Sequence, residues 1–183
     1  MSSSDLIRWG GLAAMLAGLV FVVNSFLAFA VPEGPYSDVV FVVGVLLVLV
    51  GLVGFHALQK GSYGRIGRAG FYTLAVASLA QIVGLEALLW DGTDVEWLVE
   101  WLLLVADLGV LIGYVLYGVA TLQARVLPRW CGVGFIVGLP ASIVLEEFLG
   151  GLLFGFLWLA LGYVLWNHSG TSAERPTRST RVS

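Results

Sequence analysis

One cysteine, Cys131, stands in the whole chain, so neither an internal disulfide nor a thiolate cluster can be built. Two histidines, His56 and His168, are too few for a histidine-rich metal site. Lysine occurs once, at Lys60, between apolar runs rather than inside one, which excludes a covalently held retinal. A phosphate-binding P-loop, an HExxH metal helix and a G-x-S-x-G nucleophile elbow are also missing. Nothing therefore calls for a metal or a cofactor, and the expectation leans away from an enzyme. The scarcest commodity is charge. Only 11% of the 183 residues are Asp, Glu, Lys or Arg, where a soluble domain carries about a quarter. Too few charges remain to clothe a water-facing surface.

Apolar residues take up the difference, at 59% of the chain and a mean hydropathy of +0.96. They come in blocks separated by short polar stretches, and a helix of about 20 such residues crosses a ~30 Å hydrocarbon core. Strict alternation, which a membrane β-barrel needs, is absent. The expected class is all-α: a polytopic transmembrane bundle of six helices at about 9–31, 38–58, 69–90, 97–123, 130–148 and 149–167. Residues 1–167 form one domain, and the polar tail 168–183 reads as disordered. The bilayer is the expected partner, and no basic patch of the kind that holds nucleic acid is present. A protein partner or a small cation is open.

All nine basic residues fall in four places: Arg8, the 59–68 loop, the 124–129 loop and the tail. With six crossings these share one side, while the alternate loops carry only acids. Basic residues retained in short loops mark the cytoplasmic face, so both termini are expected inside, at the plasma membrane of a prokaryote. Two segments admit other readings. Residues 1–30, with one Arg, a long apolar core and an A-x-A triplet at Ala28–Ala30, also fit a cleaved signal peptide. Residues 130–167 leave almost no loop between their helices: Pro140 and the turn EEFLGG suggest a kinked fifth helix and a tight outer hairpin, and a re-entrant pair that never fully crosses is the alternative.

Larger-scale regularity is present. RWGG at Arg8, RAGF at Arg68 and RWCG at Arg129 recur at spacings of 60 and 61 residues, as three helical hairpins in parallel orientation would. Basic loops at similar intervals would impose the same rhythm without duplication. Glycine makes up 24 of 183 residues, above the roughly 7% norm. Pairs such as Gly44 and Gly51, Gly109 and Gly113, Gly134 and Gly138, and Gly151 and Gly155 make smooth faces, as do Gly11, Ala14, Gly18 and Ser25. In lipid, small residues let helices approach closely, and intramolecular packing is favoured here over dimer faces. Trp9, Trp90, Trp97, Trp101, Trp130 and Trp166 lie near span ends, where interfacial belts form.

One carboxylate interrupts the run LLLVADLGVLIGY: Asp107, about 15 Å along its helix from Trp97. A mid-membrane Asp costs about 2.5–3.5 kcal/mol on insertion scales, so it needs a polar partner, a watery cavity or a proton. Glu100, Asp107, Tyr114 and Thr121 recur every seven residues and line one polar seam. Asn24, His56 and Gln81 are the polar mid-span groups available as partners. Glu86, Asp91, Asp94, Glu96, Glu146 and Glu147 form a candidate acidic outer mouth. The seam is read as structural, with Asp107 hydrogen-bonded to Asn24, Gln81 or a carbonyl. The competing readings are a proton or cation site, and a substrate site.

The stretch GYVLYGVATLQARVLPRWCGVGFIVG, 113–138, resembles a pattern in small bacterial multi-spanning proteins of domain-of-unknown-function type. It shares their Tyr- and Gly-rich helix, short L-P-R loop and following glycine-rich helix. The resemblance implies a plasma-membrane helical bundle and carries no activity or site residue. The expected function is thus a non-enzymatic accessory, sensing or structural membrane component. A small proton- or cation-coupled transporter using Asp107 and Glu100 is the alternative, and a lipid- or isoprenoid-active enzyme a distant third.

Overall fold

The computed structural model describes residues 3–30, 36–88 and 96–173. They form six helices: α1 Ser3–Ala30, α2 Tyr36–Gln59, α3 Gly64–Leu88, α4 Glu96–Ala124, α5 Arg129–Val144 and α6 Glu146–Ala173. All but α5 are long and apolar enough to cross a membrane. The molecule is a membrane-spanning helical bundle. Lipid offers the backbone no hydrogen bonds, so a chain this apolar must satisfy its own amides, and helices do so locally.

The last pair differs from expectation. Instead of 130–148, α5 stops at Val144 after 16 residues, about 24 Å and short of a full crossing. Its turn is not EEFLGG but the single residue Leu145, whose amide donates back to Ala141 O at 3.1 Å. Pro140 inside α5 cannot donate a helix hydrogen bond. Glu146 and Glu147 then open α6, where the helix dipole favours negative charge. At the other end α6 runs through Ala173, six residues into the segment expected as tail. Residues 174–183 lie outside the described set.

The helices stand in a closed ring in chain order, with α6 returning to pack along α1. Neighbours are antiparallel, so Arg8, Lys60, Arg65, Arg68, Arg125 and Arg129 share one end, here termed the basic end. Glycine decides how close each pair comes. In RWGG and RAGF the third residue faces its own hairpin partner. A Cβ on Gly10 would lie 2.5 Å from Gly54 Cα, and one on Gly70 would lie 2.7 Å from Tyr117 N. The fourth residue faces the preceding helix of the ring. A Cβ on Gly11 would lie 2.8 Å from Trp166 N in α6, and one on Gly132 would lie 2.9 Å from Gly118 O in α4. The second unit has Phe71 at that place, and its ring meets His56 of α2 at 4.2 Å between centroids. A phenyl ring where the others have hydrogen holds α2 and α3 apart, and contact between them is sparse.

The expected small-residue faces all pack within the chain. Gly109 and Gly113 meet Ala77 and Leu74 of α3, Gly134 and Gly138 meet Leu157 of α6, and Gly151 and Gly155 meet Ser25 and Val22 of α1. The turn after α4 places Arg125 at φ 52°, a left-handed conformation that closes the helix, and Gly64 opens α3 at φ 64°.

Towards the basic end the ring is filled. Phe135 is the hub, with Phe55 at 5.5 Å, Tyr117 at 5.3 Å and Trp158 at 6.0 Å, all edge-to-face. These four side chains are fully buried and tie α2, α4, α5 and α6 together across the axis.

Candidate functional site

Beyond that plug, towards the opposite end, the ring is hollow. A cavity of about 280 Å³ is lined by all six helices. Helix direction sorts its lining by depth. The floor consists of Phe21, Val48, Ser78, Tyr114, Leu139 and Phe154, and the rim carries Asn24, Ser25, Gln81 and Ser142. Phe154 lies edge-on to Phe21 at 5.1 Å and to Trp158 at 6.2 Å, which joins the floor to the plug below. The lining contains no charged side chain.

Three of the rim's side-chain hydrogens are committed to protein. Ser25 Oγ donates to Phe21 O at 2.9 Å, and Ser142 Oγ donates to Leu139 O at 2.7 Å. Gln81 Nε2 donates to Asp107 Oδ1 at 2.6 Å. Asn24 Oδ1 is buried with no hydrogen-bond partner. The rim thus holds one buried acceptor that the protein leaves without a donor.

The polar seam of α4 divides at this level. Glu100 and Asp107 are exposed, whereas Tyr114 is 3% and Thr121 1% exposed. Of the expected partners for Asp107, Gln81 is the one that reaches it; Asn24 faces the cavity from α1, and His56 stands near the basic end. Thr121 Oγ1 donates to Tyr117 O at 2.9 Å and so satisfies itself within its own helix. The seam supplies the cavity with Tyr114 only.

The proposed acidic mouth is described at one position, Glu86, which is exposed on α3. Asp91 and Asp94 lie outside the described residues, as do the side chains of Glu96, Glu146 and Glu147. Among the described residues no three of His, Cys, Asp and Glu gather in one place.

The basic end carries a second polar group. Tyr63, buried in the α2–α3 turn, shares a hydrogen bond between its hydroxyl and His56 Nδ1. Burial pushes its phenol up to about 12. Both amide atoms of Gln59 and the hydroxyl of Tyr117 are buried without protein partners.

Several of these residues carry little signal in sequence. Ser25, Ser78 and Ser142 are small, and a serine bonded to its own helix sits anywhere in a span. Trp158 did carry one: of seven tryptophans it alone lies at mid-span, away from the interfacial positions. Compared with protein-family models, curated proteins and solved structures, the chain matches none.

Proposed function

We propose that this protein is a non-enzymatic component of the prokaryotic plasma membrane, basic end inward, that senses or holds a small molecule within its ring. One observation carries the reading: a cavity lined by all six helices, mostly aromatic and aliphatic at its floor and polar at its rim. Pockets of about 300 Å³ and more, apolar with a few converging polar groups, are where proteins hold small ligands. A purely structural bundle has no use for such a hollow, since unfilled space forfeits packing energy.

Native mass spectrometry on protein released directly from its membrane tests this. Wild-type protein should carry a bound small molecule, and Ser78→Leu, which fills the floor, should carry none. Wild-type protein that is ligand-free under the same conditions overturns the reading.

The hydrogen bond between Asp107 and the cavity residue Gln81 favours one other reading, a proton- or cation-coupled transporter. It predicts a flux in proteoliposomes that Asp107→Asn abolishes while the melting temperature is kept. Inert vesicles eliminate it.

A further inference from the structure

Resting on that reading, we infer that the cavity takes a neutral, medium-chain amphiphile with a hydroxyl head, its tail towards the plug and its head towards the end opposite the basic residues.

Polarity sets the orientation. Along α1 the lining passes from Phe21 through Asn24 and Ser25 to Ala28, two turns or about 10 Å. The deep turn meets Phe154 and Tyr114, and the shallow one meets Gln81 and Ser142. An alkyl chain lies on the aromatic floor, and its head reaches the level of Asn24.

Hydrogen-bond supply sets the head group. Ser25, Ser142 and Gln81 each spend a hydrogen on protein, and Asn24 Oδ1 is buried without a donor. A ligand hydroxyl supplies that donor and accepts in return from the Asn24 amide. A carboxylate would be stripped of water with no cationic side chain in the lining to replace it, and it would sit close to Asp107. An ammonium head would be stripped of water with no charged side chain in the lining to replace it. An alkane leaves Asn24 as it is.

The route follows from the ring's weakest joint. Val45 and Val48 of α2 adjoin Ser78 and Gln81 of α3 in the cavity wall, and these two helices touch sparsely. A molecule dissolved in the bilayer meets the cavity there without leaving lipid.

The test uses the full chain in nanodiscs and bromine-terminated nonanol, because bromine quenches indole fluorescence on contact and Trp158 lies under the floor. The alcohol should produce a saturable quench that Trp158→Phe removes and Ser78→Leu abolishes. Asn24→Leu should weaken its midpoint about tenfold, and the melting temperature of each variant shows that it is folded. Bromine-terminated nonanoate and bromononane should give only the unsaturable quench of free partitioning. Equal saturation by the acid overturns the head-group assignment, and equal quenching in Ser78→Leu overturns the location. A molecule seen by native mass spectrometry but not displaced by nonanol refutes the chemical class and leaves the cavity reading standing. Ligand-free protein with unsaturable quenching refutes both.

Discussion

The two halves of the ring are built to different rules. Towards the basic end, Phe55, Tyr117, Phe135 and Trp158 fill the axis to full burial. Towards the other end the same helices enclose about 280 Å³ of space. Side-chain size accounts for this: rings converge from four helices in one half, while Ser25, Ser78, Ser142, Gly150 and Gly151 converge in the other. In a membrane, where burying apolar groups gives helices no advantage over lipid, van der Waals contact holds the bundle. The filled half therefore supplies cohesion, and the hollow half is free to be specific.

Substitutions of matched kind should separate the halves. Trp158→Ala is expected to have the largest effect, a loss of about 3 kcal/mol or more in reversible unfolding, since it empties the plug. A loss below about 1 kcal/mol would mean the plug does not hold the ring. Adding bulk should act with opposite sign in the two halves. Ala120→Leu, at 1% exposure beside the plug, should cost about 1–3 kcal/mol by overpacking. Ser78→Leu in the cavity should instead stabilise by up to about 1 kcal/mol, read as a higher melting temperature. Destabilisation by both would show the hollow to be closed in the membrane. At the rim, Asp107→Leu should lose about 1 kcal/mol by leaving the Gln81 amide without its acceptor, and Asp107→Asn should stay near wild type.

The smallest effect concerns pH at the basic end. Tyr63 keeps its proton up to about 12 in the folded chain, against 10.0 for an ordinary phenol. The folded state thus favours the protonated form. That contribution is whole below the ordinary value and is lost as pH rises from there through the folded value. Tyr63→Phe should flatten the fall of stability in this window, read as the pH dependence of the melting temperature.

The helices were legible because lipid forces each crossing to be a continuous apolar run, and the blocks ending near Ala30, Gln59, Leu88 and Ala124 state this directly. The α5–α6 boundary was not. It turns on one residue, Leu145, in a stretch apolar enough for either register, and the acids Glu146 and Glu147 start a helix instead of ending one. Gln81 was identifiable as a partner for Asp107 because few deep polar groups exist. The cavity was hidden, since it depends on which faces of six helices converge. Spacing along α4 placed Glu100, Asp107, Tyr114 and Thr121 on one stripe, but the ring's curvature leaves the first two outside and buries the others.

The packing of α6 along α1 has a consequence for biosynthesis. Gly11 and Gly18, near the beginning of the chain, find their counterpart in the backbone of Trp166 and Leu159, near its end. Helix α1 therefore waits, its α6-facing side bare to lipid, until α6, five helices later, has been translated. Ribosomal products cut short before residue 146 would present that bare glycine face to membrane proteases.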